Sequence, residues 1–138
     1  MKPREMINDP VNGMIRFSSP WSFNETVRQI EAALSARKIK VFDRIDQAAE
    51  AEAVGLALRP TTLLIFGDPS KGTPLMEAHP TLAIDLPLKA LIWEADPSEV
   101  YIGLTSPEFL QKRHGLPSEP FTEVVRLFIA LLNAGPRL

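Results

Sequence analysis

Proline is the residue type that most constrains what this chain can fold into. The 138 residues include 13 prolines against 7 glycines. Proline has no backbone N–H and clashes with the preceding turn of a helix, so it ends helices and is excluded from central strands. The sequence therefore predicts many short helices and strands with sharp boundaries.

Composition and charge exclude several classes of protein. Hydrophobic residues make up 45% of the chain and charged residues 23%, which is typical of one globular domain, here residues 1–138. The net charge of -2 gives no overall attraction to polyanions, so we expect neither nucleic acid nor a membrane as a partner. The chain has no cysteine, which rules out disulfides, thiolate metal sites and a cysteine nucleophile.

The first residues carry charges and prolines but no apolar signal-peptide core. No later run reaches the roughly 18 apolar residues that a membrane span needs. We therefore expect a cytoplasmic protein, with residues 1–11 as an N-terminal extension.

Apolar spacing and capping signals predict an alternating order of elements. Ser22 with Glu25 three residues later is typical of a helix start. The predicted strands are residues 12–18, 39–45, 61–66, 86–94 and 99–105, and the predicted helices are 23–36, 47–54, 106–113 and 119–133. This order predicts a single-domain α+β fold, in which a curved, mainly antiparallel sheet carries two main helices on one face.

The last predicted hairpin indicates what the uncovered face of that sheet carries. A turn at residues 95–98 places Trp93 opposite Tyr101 and Leu91 opposite Gly103. An apolar patch on a sheet usually marks a partner or ligand surface, and a homodimer is the simplest way to cover it. The residues expected in this interface are Leu63, Ile65, Leu91, Trp93 and Tyr101.

The polar loop at residues 67–73 follows the third predicted strand and is a candidate for ligand contact. Its glycines let backbone amides approach an anion, and Lys71 adds positive charge. The spacing differs from that of nucleotide-binding loops, because Lys71 precedes Gly72. Two interpretations stay open: contact with a small anionic ligand, or a turn capped by Asp68. Thr73 followed by proline is typical of a helix start.

Candidates for catalysis are few. His79 and Asp85 are a weak general acid–base pair, and a solvated loop histidine is the alternative interpretation. Asp85 and Lys89 stand four residues apart, so an extended strand would place them on one face as an ion pair. We expect no metal ion and no cofactor. The ligand-binding candidates are Asp68, Lys71, Thr73, Asp85, Lys89 and Arg113.

Several sequence strings together resemble one known family. The strings are FGDPSKGTPLM at residues 66–76, DLPLK at residues 85–89, Ser106-Pro107 and Arg113-His114. They resemble the domain of unknown function 302 family of small bacterial and archaeal proteins, over about residues 14–134. The resemblance implies a TATA-binding-protein-like α+β fold with a β-α-β-β-β-β-α core, often dimeric, and no established activity. The family commonly has asparagine where this chain has Asp68, and an aromatic residue near Leu104.

Three functions are compatible with the sequence. The leading hypothesis is a non-catalytic ligand-binding or interaction module that acts as a homodimer. The alternative is an enzyme acting on a small anionic or acyl substrate, with Asp85 or His79 as base. A structural subunit of a larger assembly is the third.

Overall fold

Six antiparallel strands form one open sheet. The computed structural model describes residues 6–9 and 12–135. The sheet order is β1-β2-β6-β5-β4-β3, and every neighbouring pair runs antiparallel. The strands are β1 (Met6–Asp9), β2 (Met14–Ser18), β3 (Lys40–Asp46), β4 (Thr61–Gly67), β5 (Leu88–Asp96) and β6 (Glu99–Thr105). The predicted fold class is confirmed. Part of the expected extension forms the edge strand β1, and its other residues lie outside the described part of the chain.

Four of the described α-helices begin at a residue whose side chain caps the first turn. The Ser22 hydroxyl accepts the backbone N–H of Glu25 at 3.3 Å, as predicted for the first helix. Gly115 ends the fourth helix at φ 63°, a left-handed conformation that glycine adopts without steric cost. The helices are α1 (Phe23–Ala36), α2 (Gln47–Ala53), α3 (Pro69–Ala78), α4 (Pro107–His114) and α5 (Thr122–Asn133), with a 3-10 helix at Pro80–Ile84.

The core lies between one face of the sheet and the helices α1 and α5. Alternate residues of the strands point inward, as the two-residue period of a strand requires, and the helices contribute one stripe each. The rings of Phe66 on β4 and Phe128 on α5 stack with centroids 6.2 Å apart. Fully buried examples are Ile30, Leu34, Leu64, Phe66, Ala90, Ile92 and Ile102. Burial of each large side chain stabilises the fold by about 1.5–3 kcal/mol.

Several predicted element boundaries differ from the observed ones, such as the start of α5 at Thr122 rather than residue 119, and two corrections bear most on the site. Helix α3 begins at Pro69 rather than Thr73, because Asp68 provides the cap and proline is well suited to the first helical position. Strand β5 begins at Leu88 rather than Leu86. Asp85 therefore lies before the strand and not within its alternation.

The opposite side of the sheet, here called the Trp93 face, has the predicted register. Trp93 pairs with Tyr101, and Leu91 pairs with Gly103. The Trp93 and Tyr101 rings lie 5.4 Å apart, and the guanidinium of Arg16 lies 5.2 Å from the tyrosine ring centroid. The face also carries Leu63, Ile65 and the exposed Lys89.

Candidate ligand-binding site

A cavity of about 570 Å³ lies at the end of the sheet where β4 ends and β5 begins. This volume is within the range of small-molecule sites. Helix α3 and the first half of α5 form its walls, and the end of the sheet forms its floor. The lining is mainly apolar and includes Phe42, Phe66, Met76, Leu86, Val124 and Leu127.

Two glycines help to keep this space open. Gly67 ends β4, and Gly72 is a buried residue within α3. A methyl group added at Gly72 would meet Leu86 at 3.7 Å and Met76 at 3.9 Å, which are ordinary contact distances. There is therefore room for a methyl group at position 72 of α3, where the chain has a glycine.

Asp68 is held at the rim of the cavity by its capping role. Its carboxylate accepts the backbone N–H of Ser70 at 3.0 Å and the Ser70 hydroxyl at 2.6 Å. These two hydrogen bonds hold the pKa of the Asp68 carboxyl below its usual value, and the one from the Ser70 hydroxyl has the larger effect. The capping interpretation from the sequence is what the structure shows at this residue.

The other charged groups of the lining are Arg37, Lys71 and Glu123. The Lys71 ammonium lies 3.2 Å from the Glu123 carboxylate, and this exposed ion pair joins α3 to α5. Arg37 follows α1 and makes no ion pair with any residue in the described part of the chain. The carboxylates of Asp68 and Glu123 thus have partners, whereas among the described residues Arg37 has no ion-pair partner.

The six predicted ligand-binding residues separate into three places. Asp68, Lys71 and Thr73 line the cavity. Lys89 lies on the Trp93 face opposite Ile65. The remaining two belong to a third place, a cluster of side chains at the end of α4.

In that cluster Asp85 binds two residues of α4. Its carboxylate lies 2.6 Å from Nε2 of His114 and 3.3 Å from the guanidinium of Arg113. Nδ1 of His114 lies 3.1 Å from the hydroxyl of Thr81, and the imidazole is only 4% exposed. The predicted Asp85–Lys89 ion pair is wrong, because Asp85 precedes β5 and turns toward α4 instead.

His114 therefore takes the place beside Asp85 that the sequence suggested for His79. Through its two ring nitrogens the imidazole links α4 to Thr81 in the 3-10 helix and to Asp85 directly after it. Within residues 6–9 and 12–135, no group of three or more His, Asp and Glu side chains is placed to share a metal ion.

Sequence reasoning missed three residues of these sites. His114 carried a partial signal, since it closes one of the family strings and stands directly before a glycine. Arg37 and Glu123 carried none, because a cation after a helix and an acid in a first helical turn are ordinary features. Only the packing of α1, α3 and α5 brings these two side chains to one cavity.

Comparison with protein families and solved structures agrees with this fold. The chain matches the family model described as "Domain of unknown function DUF302" over residues 15–134. A structure titled "Crystal structure of uncharacterized conserved protein DUF302 from Bacillus stearothermophilus" superposes with a TM-score of 0.75. It is 17% identical and covers 88% of this chain and 96% of that chain, so the likeness concerns the fold alone.

Curated relatives carry a different kind of name. The chain is 38% identical over 105 residues to "Fluoride-specific ion channel FluC 1" of Brucella suis biovar 1 (strain 1330), covering 76% of this chain and 41% of that protein. The match to "Fluoride-specific ion channel FluC 2" of Brucella melitensis biotype 1 has the same identity and covers 39% of that protein. The chain thus spans about two-fifths of the length of these relatives. Among the described residues, no helix has both the length and the apolar character to cross a membrane.

Proposed function

The chain belongs to the DUF302 family, and on that premise we propose that it is a ligand-binding module whose site is the cavity between α3, α5 and the end of the sheet. The cavity is the observation that carries this proposal. A small, mainly apolar molecule is the ligand that its lining suits. Asp68, Lys71 and Thr73 are the predicted ligand-binding residues that would lie at its rim.

The physical support is the chemistry of the walls. Binding sites for small molecules are concave, mostly apolar and furnished with a few polar groups that orient the ligand. Aromatic, aliphatic and methionine side chains line this cavity, and the charged groups stand among them in small number. Removal of apolar ligand surface from water contributes about 25 cal/mol per Å² before the cost of association is subtracted.

A thermal-shift and calorimetric measurement with 1-decanol as the probe tests this proposal. A ligand that binds only the folded state stabilises it by about 2.7 kcal/mol at one hundred times its dissociation constant. Val124→Trp places an indole ring in part of the cavity and should reduce the shift. Val54→Trp is the matched control, since Val54 is 73% exposed and outside the lining. No shift for the wild type, or equal binding by a folded Val124→Trp variant, contradicts the proposal.

The Trp93 face supports a second part of the proposal, a homodimer. Trp and Tyr are the side chains that most often dominate binding energy at protein interfaces. Sedimentation should reveal a species of twice the 15.3 kDa chain mass, and Trp93→Glu should convert it to the monomer. Val54→Glu, which places the same charge at another exposed position, should leave the dimer intact. A wild-type monomer at high concentration refutes this part.

One observation favours an enzyme as a second candidate function. The order Thr81 hydroxyl, His114 imidazole, Asp85 carboxylate is the arrangement by which a base activates a nucleophile. Hydrolysis of p-nitrophenyl acetate tests it: Thr81→Val should remove the activity, and Thr81→Ser should retain it. A wild-type rate equal to that of buffer rejects the enzyme, and a purely structural histidine then accounts for the cluster.

Fluoride transport is not proposed for this chain, because the match covers about two-fifths of the relatives that bear that name. The cytoplasmic location expected from the sequence stays a prediction.

A further inference from the structure

We infer that the ligand of the cavity is an anionic amphiphile, a molecule with an apolar body and one carboxylate-like group that binds Arg37. This inference rests on the proposed function, since it names the chemical class of the ligand at the same site.

The existing partners of the charged groups in the lining favour an anion as the ligand. The Asp68 carboxylate already accepts two hydrogen bonds from Ser70, and the Glu123 carboxylate already pairs with Lys71. Arg37 has no such partner in the described part of the chain. A cationic ligand would have to displace existing partners while facing the arginine, whereas an anionic ligand meets a group that is available.

Lys71 provides a second available cation at small cost. Its ion pair with Glu123 is solvent-exposed, with 66% of the lysine and 79% of the glutamate side chain accessible. Exposed pairs of this kind stabilise a protein by only about 0–1 kcal/mol. The lysine is therefore free to turn from Glu123 toward a bound anion.

The position of Arg37 suits the headgroup of an amphiphile. The residue ends α1, and its N–H donates to the carbonyl of Leu34 at 3.1 Å. The chain then turns at Lys38, where φ is 59°, and returns along the cavity with Ile39. Arg37 is thus an exposed residue that lines the cavity together with apolar side chains. Its planar fork binds a carboxylate through two parallel hydrogen bonds.

A cation at the end of α1 also complements the helix dipole, which is the competing explanation for Arg37. Lys38 separates the two explanations, because it is an exposed cation at the same helix end but does not line the cavity. Lys38→Gln is therefore the matched control for Arg37→Gln. Both variants lose one positive charge near the same helix terminus.

The experiment is calorimetric titration of the full chain and both variants with three probes of equal chain length: decanoate, 1-decanol and decylamine. We expect decanoate to bind most tightly and decylamine most weakly. Arg37→Gln should weaken decanoate up to about fivefold, the upper end for an ion pair at an exposed side chain, and leave 1-decanol unchanged. Lys38→Gln should change either by less than about twofold. Added salt should weaken decanoate and not 1-decanol.

The outcomes separate this inference from the proposed function. If 1-decanol binds and decanoate binds no more tightly, the anionic class is wrong and the binding module stands. Equal losses in Arg37→Gln and Lys38→Gln also overturn the inference, since they reflect charge at the helix end alone. If none of the three probes binds, both the inference and the proposed function fail. Circular dichroism verifies that each variant is folded.

Discussion

Replacement of Gly72 by alanine should stabilise this protein, although Gly72 is buried in the wall of the cavity. Glycine in a helix interior costs about 0.5–1 kcal/mol relative to alanine, because the unfolded chain loses more freedom at glycine. The new methyl group would meet Leu86 and Met76 at ordinary contact distances, so no overpacking opposes that gain. We expect the free energy of unfolding to rise by about 1 kcal/mol.

The matched control is the same substitution at Gly115, where the sign should reverse. A methyl group there meets nothing within 4 Å, but φ is 63°. Alanine in this left-handed conformation costs about 1–2 kcal/mol. Both substitutions restrict the unfolded chain equally, so the difference between them, about 2 kcal/mol, measures only the native conformation.

Urea unfolding followed by circular dichroism gives both values. The midpoint should rise for Gly72→Ala and fall for Gly115→Ala at unchanged slope, and the melting temperatures should move by about 3–5 °C in opposite directions. Destabilisation of 1 kcal/mol or more by Gly72→Ala would refute the open space described beside α3. The same variant should bind 1-decanol more weakly, because its methyl group narrows the cavity.

Three further substitutions test other contacts. Gly13→Ala should cost about 3 kcal/mol in urea unfolding, because φ is 65° and the methyl group would overlap the Phe109 ring; in a Phe109→Ala background the same substitution should cost less, about the 1–2 kcal/mol of the left-handed conformation. Asp68→Ala should lower the urea midpoint more at pH 7 than at pH 2, because the folded pKa lies below the unfolded value of 3.8 and the stabilisation, present above that value, is lost as pH falls through the folded pKa. Asp85→Ala should cost about 1–3 kcal/mol, since buried His114 loses its acceptor, and a loss below 0.5 kcal/mol would contradict the buried contact.

Short sequence patterns predicted helices and strands well where a single pattern marked the position of an element. The hairpin register, with Trp93 opposite Tyr101, followed from side-chain alternation about a short proline-containing turn. The start of α3 was predicted wrongly because two valid signals compete within six residues. Both Asp68-Pro69 and Thr73-Pro74 are typical of a helix start, and the earlier one begins the helix.

The candidate site likewise contains residues that are close in sequence, which were predicted, and residues that are distant in sequence, which were not. Asp68, Lys71 and Thr73 are close in sequence, so a loop hypothesis named them together before the cavity was seen. Glu123 pairs with Lys71 from 52 positions away. No local pattern connects such residues, because their distance depends on how α3 and α5 lie on the sheet.

The sequence by itself determined the α+β class and the strand alternation that creates the Trp93 face, because caps and apolar periods are properties of near neighbours. It also carried the motif strings by which the chain resembles its family. The tertiary structure alone decided that Arg37 and Glu123 share a cavity with the polar loop, and that Asp85 pairs with His114 rather than with Lys89. The physical reason is that a cavity is the space that packed elements leave between them. Its lining depends on the crossing of helices and strands that are distant in sequence, and residue spacing does not record that crossing.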